Sequence, residues 1–574
     1  MSGLLNRVWS PVRALLPARA DLARMSRDPG RDLLAGLTVA VVALPLALGF
    51  GVSSGLGAEA GLATAVVAGA LAALFGGSNL QVSGPTGAMT VVLVPIVARY
   101  GTGGVLTVGL LAGLMLIALA FARAGRYMRY VPAPVVEGFT VGIACVIGLQ
   151  QVPDALGVTT PRAGNILVAT WRAVEAFVAH PHGTAVGLSS AVAVVMLVGA
   201  RLLPMIPFSI LAVVAATLAA EMLDLDAERI GHLPVGLPAP SLGFLDLSLV
   251  PSLLAPAVAV AALAALESLL SATVADGMTV DQQHDPDREL FGQGIANLAA
   301  PLFGGVPATA AIARTAVNVR TGAGSRLAAL THAVILAAIV FAAAPLVSRI
   351  PLAALAGVLI ATAVRMVEVG SVRTMVRATR SDALVLVLTA LATLALDLVQ
   401  AVVIGLVVAG ALALRAVAKH ARLDQVPLAR DLPGGHSKEE HALLAEHIVA
   451  YRIDGPLFFA AAHRFLLELT DVADVRVVVL RMSRVTALDA TGALVLKDAI
   501  DRLTRRGITV MASGVKPGQV RTLDTLGVLD TLRADNRVYA TTPDAIHAAR
   551  THLHHVGILR VPAQTTPSAE EPIR

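Results

Sequence analysis

Much of what the chain is follows from what it lacks. Cys145 is its one cysteine among 574 residues, which rules out an intrachain disulfide and any cysteine metal cluster. Charged residues make up only 14% and aromatic residues 3%. The formal charge of +5 and pI near 9.7 therefore do not describe a nucleic-acid binder. There are few rings to stack on bases, and the arginines are scattered beside apolar runs. Lysine is absent until Lys419. That absence separates an apolar part from a more polar C-terminal part.

What is abundant is apolar surface: 56% of residues are hydrophobic and the mean hydropathy is +0.76. A soluble domain does not carry that balance, and the chain reads as a polytopic α-helical membrane protein. Apolar runs fall at roughly 33–54, 58–75, 85–99, 104–122, 132–151, 184–203, 206–222, 252–275, 290–303, 308–319, 327–347, 351–367, 381–397 and 399–418. Several of these fourteen are shorter than the ~20 residues a perpendicular span needs. Residues 1–30 carry Arg7, Arg13, Arg19, Arg24 and Arg27 without an apolar core long enough for a cleaved signal, and read as a cytoplasmic segment. If each run crosses once, the inside loops hold Arg123, Arg126 and Arg129, then Arg365, Arg373, Arg377 and Arg380. The outside holds the acidic Glu221, Asp224, Asp226 and Glu228. Both agree with the positive-inside rule and place the N- and C-termini in the cytoplasm.

Two stretches break the helical pattern. Gly304-Gly305-Val306-Pro307-Ala308-Thr309-Ala310-Ala311-Ile312-Ala313-Arg314 opens with two glycines and a proline, carries an arginine, and runs out too soon before Arg320 to cross a bilayer. Gly76-Gly77-Ser78-Asn79-Leu80-Gln81-Val82-Ser83-Gly84-Pro85-Thr86 has the same order of features. Irregular backbone at membrane depth is tolerated only where protein or a cavity meets its polar groups. Interruptions at matching places in two halves point to a transporter's substrate site. Dividing the fourteen runs after the seventh puts one interruption in the third run of each half. An odd number of spans per half then inverts the second, giving 7+7 inverted repeats at about 31–222 and 251–418 within a transporter domain of 31–420.

From about residue 425 the pattern becomes that of a small α/β unit. Segments 447–453, 475–480 and 508–512 read as strands, and 491–506 as a helix ended by Gly507. The boundaries expected are a linker at 421–435, a domain at 436–558 and a polar, disordered tail at 559–574.

Arg314 is the first candidate site residue, because a charge at membrane depth costs ~2.5–3.5 kcal/mol unless it faces a cavity or a partner. If Pro85 and Pro307 begin two short helices ending near the midplane, their N-termini and Arg314 make an anion site. Arg320 and Arg326 read as snorkelling to the cytoplasmic interface. Glu267 stands deep in the run 252–275, where a carboxylate tends to hold a proton, and Ser271 shares its helix face. Glu267 is read as the coupling group, with a fold-steadying salt bridge to Arg314 as the plainer reading. Ser83, Thr86 and Thr309 can hydrogen-bond a substrate or cap helices. Glu137 reads as a helix-start residue, and His284 with Asp281, Asp285 and Asp287 as a solvated loop.

These motifs resemble the SulP family of SLC26-type anion transporters. The residues that carry the resemblance are Val82-Ser83-Gly84-Pro85-Thr86, Glu267-Ser268-Leu269-Leu270-Ser271, Val274-Ala275-Asp276-Gly277-Met278, Gly292-Gln293-Gly294-Ile295-Ala296-Asn297 and Arg314-Thr315-Ala316-Val317-Asn318. The C-terminal part resembles a STAS domain through 475–480 running into Leu488-Asp489-Ala490-Thr491-Gly492. The resemblance implies core and gate domains, elevator-like movement, a homodimer, and residence in a bacterial-type plasma (inner) membrane. It also implies an anion (sulfate, bicarbonate, oxalate or a C4-dicarboxylate) bound between the third and tenth segments. There Ser83, Pro85, Thr86, Thr309, Ala310, Ala313 and Arg314 stand, with Glu267 and Ser271 beside them for a coupling H+ or Na+.

The sequence departs from that family at three places. Leu44-Pro45-Leu46 stands where many sulfate-type members have Pro-Gln, which leans towards the bicarbonate or dicarboxylate subgroups. Ala313 replaces a common serine, and Ala490 replaces the serine of phosphorylated STAS relatives, leaving Thr491 with a helix-start role.

The expected function is a proton-coupled secondary transporter of a small anion, not an enzyme, using no cofactor beyond the coupling ion. Its expected partners are the anion, the lipid bilayer, a second copy and a cytoplasmic ligand of the STAS domain. A sodium-coupled bicarbonate symporter, an uncoupled channel or exchanger, a proton:nucleobase symporter and a STAS-based signalling scaffold remain as alternatives.

Overall fold

The computed structural model describes residues 15–159, 166–203, 206–280, 282–396, 398–419, 422–426, 444, 446–459 and 475–558. Asp281, residues 427–435 of the expected linker and the 559–574 tail lie outside them. The chain forms two compact units, Met1–Ala409 and Gly410–Arg574.

In the first half of the membrane unit, α1 (Arg19–Met25) precedes α2 (Pro29–Ser53) and α3 (Ala58–Phe75). A two-residue strand, β1 (Ser83–Gly84), leads into α4 (Gly87–Phe121), followed by α5 (Ala133–Gln150), α6 (Val152–Leu156), α7 (Ile166–Ala179), α8 (Gly183–Leu202) and α9 (Phe208–Met222). The second half runs α10 (Val250–Gly277), α11 (Pro286–Ala299), β2 (Thr309–Ala310), α12 (Ile312–Arg320), α13 (Arg326–Ala342), α14 (Ala344–Val347) and α15 (Leu352–Met366). It closes with α16 (Val369–Ala378), α17 (Arg380–Ala395) and α18 (Leu398–Lys419). The runs 85–99 and 104–122 are joined in α4, but its backbone leaves the helix at Gly101, with φ 69°, so α4 is two spans meeting at a turn. Among the described residues eight helices are long and apolar enough to cross a membrane.

The fold is the 7+7 inverted repeat followed by an α/β domain. In each half the third segment begins as a short strand and continues as a helix. The fifth and sixth segments of each half are joined by a helix that the apolar runs do not reveal, α7 in the first half and α16 in the second. Helices α2, α3, α4 and α10 to α13 pack among themselves, as do α5, α8, α9, α15 and α17, which separates a core group from a gate group. Small residues permit the close crossings. A methyl on Gly61 would strike the Ala47 carbonyl, and one on Gly292 the Gly76 backbone.

Two expectations for this unit fail. Pro307 does not begin a helix: residues 304–308 are irregular, Thr309–Ala310 is a strand, and α12 starts only at Ile312. Arg326 does not snorkel. It is 3% exposed and donates to the carbonyls of Ala73 (3.0 Å) and Gly76 (2.6 Å) at the end of α3, with Asn79 Oδ1 at 2.9 Å. Asp21 of α1 pairs with Arg288 at 2.7 Å and lies 3.7 Å from Arg326, so this part of the N-terminal segment is docked.

In the second unit β3 (Arg422–Val426) runs antiparallel to β4 (Ile448–Leu457). Strands β4, β5 (Val477–Arg481), β7 (Thr509–Ser513) and β8 (Val538–Tyr539) follow in parallel, and β6 (Val485–Leu488) also pairs with β4. The stretch read as a linker therefore opens with a strand of this sheet. Alternate strand residues reach two cores. Val449, Ile453, Val478 and Leu480 pack with Leu496, Ile500 and Leu503 of α19 (Ala490–Arg505). Ile448, Ala450, Val477 and Val479 pack with Ile546, Ala549 and Leu553 of a C-terminal helix, Thr542–His555. The α19 cap is Asp489, which accepts from Gly492 N at 2.7 Å, not Thr491, which lies inside the helix.

Candidate functional site

The site is built where β1 crosses β2. Ser83 pairs with Ala310 and Gly84 with Thr309 in antiparallel register. Two residues of pairing cannot satisfy the irregular chain on either side, and named side chains supply the rest. Gly77 N and Ser78 N donate to the Glu289 carboxylate at 2.9 and 3.2 Å, and Asn318 Nδ2 donates to Leu80 O at 2.7 Å. Asn297 receives Ala308 N at 2.8 Å and returns a bond to Ala308 O at 2.9 Å. Thr64 donates to Val306 O at 3.0 Å. The interruption is thus held open by side chains of α3, α11 and α12.

Two helix N-termini meet at this crossing. Thr86 caps α4, its Oγ1 accepting from Met89 N, and the same hydroxyl donates to Glu267 Oε2 at 2.9 Å. Helix α12 has Ala311 at its cap and no side-chain cap bond. Its first-turn residues Ile312 and Ala313 are exposed. Arg314, on that same turn, is 1% exposed. Its Nη2 donates to Pro85 O at 2.8 Å, while its buried Nη1 has no protein partner. One guanidinium therefore stands at the start of both helices, with donors left over. Partial positive charge at two N-termini, a buried cation and free N–H groups together favour an anion. Glu267, on α10, supplies the opposing charge. No ion pair within 4 Å joins it to Arg314 among the described residues, so the expected salt bridge is replaced by the hydroxyl of Thr86.

The other expected site hydroxyls are already engaged. Ser83 Oγ accepts from Gln293 Nε2 at 2.6 Å, and Ser271 Oγ donates to Thr315 Oγ1 at 2.9 Å. Thr309 Oγ1 donates to Ala264 O at 3.2 Å and lies 2.9 Å from Ser268 Oγ. Ser83 and Thr309 tie the strand pair to α11 and α10, and Ser271 ties α10 to α12. Ser271 consequently faces Thr315, whereas Glu267 on the same helix faces Thr86. Ala310 is buried in β2, Pro85 offers its carbonyl to Arg314, and Ala313 is exposed on the first turn of α12.

Outside the site, Glu137 lies in the second turn of α5 rather than at its start, with Oε1 buried and unpartnered. His284 is not simply solvated: its ring Nδ1 lies 2.7 Å from Asp276 Oδ2. Asp285 caps α11, and Asp287 accepts from Gly125 N at 3.0 Å.

Sequence reasoning assigns no role to Gln293, Asn297, Ser268 or His332. The first three stand within quoted motifs, but they bond to Ser83, Ala308 and Thr309 in the two interrupted stretches, far from them in sequence or on another element. His332, on α13, is fully buried with both ring nitrogens unpartnered.

Known proteins with the same pattern place this geometry in context. The model described as "Sulfate permease family" matches residues 30–389, and that of the STAS domain residues 442–545. A putative sulfate transporter, YvdB of Bacillus subtilis, is 35% identical over 85% of this chain and 91% of its own length. The bicarbonate transporter BicA of Synechocystis is 32% identical over 87% of this chain and 90% of its own. The solved transmembrane domain of a cyanobacterial BicA is 33% identical, with TM-score 0.59, covering 67% of this chain and 98% of that one. Murine Slc26a9 in its inward-facing state shares the fold at TM-score 0.81 and 16% identity, over 94% of both chains.

Proposed function

The chain belongs to the sulfate permease family, and from that premise we propose that it carries a small anion across the plasma membrane by proton-coupled, elevator-type alternating access. The family consists of transporters, and the chain is a multi-pass membrane protein and not an enzyme. One observation carries the reading: the buried Arg314 guanidinium stands at the joint start of α4 and α12 with Nη1 unpartnered.

The anion docks against Nη1 and the exposed first turn of α12, between the third and tenth segments. Glu267 carries the proton. An ionised Glu267 competes with the anion for the field of Arg314, whereas a protonated one leaves that charge to the substrate. The Thr86 hydroxyl, bonded to Glu267 and capping α4, transmits the difference to one helix N-terminus. Bringing a monoanion into a cell held 100 mV negative costs ~2.3 kcal/mol, which one accompanying proton cancels. The core group moves as the cargo-bearing body against the gate group, in a homodimer.

Bicarbonate, C4-dicarboxylate and sulfate are the substrates this reading admits. Sulfate and bicarbonate transporters both stand among the relatives, and sodium is the rival coupling ion, with Glu267 then a cation ligand. Binding of labelled sulfate, bicarbonate and fumarate to purified protein tests the site. Arg314→Ala abolishes it on this reading, and unchanged affinity in that variant would overturn the assignment.

A further inference from the structure

Helix α16 has no role in the anion site, yet its composition is specific. It reads Val369-Gly370-Ser371-Val372-Arg373-Thr374-Met375-Val376-Arg377-Ala378, and none of its residues is buried. Val369 is 70% and Val376 44% exposed. Arg373 and Arg377 stand on the adjoining stripe, with Arg365 before the helix and Arg380 after it. All four arginines are exposed, and among the described residues none is paired with a carboxylate.

The fold fixes where this helix lies. It starts three residues after α15 ends and stops two residues before α17 begins, and both neighbours are membrane segments. A ten-residue helix is about 15 Å long. Tethered at both ends to the membrane boundary, it runs along the surface of one leaflet with valines and arginines outward. Its counterpart in the inverted repeat, α7, occupies the matching connection on the opposite face. That helix also exposes an apolar stripe, with Trp171 at 71% and Val178 at 72%. Its charges, however, are one arginine and one glutamate, Arg172 and Glu175. Two helices with the same place in the repeat thus differ in charge. An apolar stripe explains membrane contact on both faces, while the arginines on one face call for an anionic surface.

We propose that α16 seats on acidic phospholipid headgroups of the adjoining leaflet, the valines entering the acyl boundary and Arg373 and Arg377 holding the phosphates. The seat belongs to the gate group, so it fixes the part against which the core group moves.

The test is amide hydrogen exchange of residues 369–378 in the full-length protein, in phosphatidylcholine vesicles with and without phosphatidylglycerol. Exchange slows in the phosphatidylglycerol vesicles, and added salt removes part of the difference by screening. Each basic group near an acidic surface strengthens association about fivefold, so losing two weakens it about twenty- to thirtyfold. The double substitution Arg373→Gln, Arg377→Gln accordingly abolishes the lipid difference, whereas Arg373→Lys, Arg377→Lys keeps it, because the headgroup field reads charge. Exchange in the STAS domain controls for folding of each variant. Equal exchange in the two vesicles, or a lipid difference that survives the glutamine substitutions, overturns the proposal.

Discussion

Gly84 is the position at which one added methyl tests the geometry of the site. A Cβ there would lie 2.7 Å from Arg314 Nη1, with Ala65 Cα behind it at 3.5 Å, and Gly84 has φ +154°. The methyl and the guanidinium cannot both keep their places. If the backbone yields, the strain costs ~1–3 kcal/mol. If Arg314 yields, its charge-assisted bond to Pro85 O is lost, at ~1.5–3 kcal/mol. An anion that must draw the guanidinium back into place works against that same ~1–3 kcal/mol, and because ~1.4 kcal/mol is tenfold in affinity, Gly84→Ala weakens anion binding by about fivefold to a little over a hundredfold. Titration calorimetry with sulfate and bicarbonate on purified protein measures the affinity, and thermal unfolding in the same buffer measures stability. In an Arg314→Ala background the clash with the guanidinium is gone and only the backbone strain at φ +154° remains, so Gly84→Ala loses part of its effect on stability, as expected for directly coupled neighbours. Wild-type affinity in Gly84→Ala, with the same stability loss in both backgrounds, would refute the contact on which the site is built.

Other perturbations reach different parts of the account. Glu267→Gln imitates the protonated carboxylate, and proteoliposome uptake in that variant no longer responds to an imposed proton gradient while substrate still binds. Asn297→Leu leaves Ala308 N and O without their partner, and at ~1–3 kcal/mol for each orphaned group the protein loses about 2–6 kcal/mol, read as a lower unfolding temperature. In the STAS domain, burial, with Arg537 and His555 adding to it, holds the His552 imidazole below its usual value of 6.5. The folded domain thus favours neutral His552. Its stability is fully present above that value and is lost as pH falls below it, and His552→Gln flattens the dependence in denaturation followed by circular dichroism.

The parts of this architecture that are legible in the sequence are those encoded within one stretch. Gly-Gly, an unpatterned spacer and Pro mark both interruptions, and the single arginine among apolar residues marks the charge they hold. Pro307 misleads because the β1–β2 pairing keeps the chain extended through Thr309 and Ala310 before α12 can start. That pairing joins residues more than two hundred positions apart. Arg326 sits at the edge of an apolar run, which suggests an interface. Only the fold brings it the open carbonyls at the end of α3. The strand Arg422–Val426 reads as linker because its partner, β4, comes later in the chain. At the STAS helix both Asp489 and Thr491 are good caps by type. The extended backbone of Asp489, φ −103° and ψ 176°, decides between them. The engagement of Ser83, Thr309 and Ser271 with α10 to α12 is likewise invisible in sequence, since each partner lies on another element.

Uptake of labelled sulfate, bicarbonate and fumarate into proteoliposomes of the wild-type protein and Arg314→Ala, each under an inward proton gradient, an inward sodium gradient or neither, tests the central claim most directly. The account predicts proton-stimulated uptake of one of these anions by the wild type and none by Arg314→Ala. Uptake unchanged by Arg314→Ala, or no uptake of any of the three under any gradient, would contradict it.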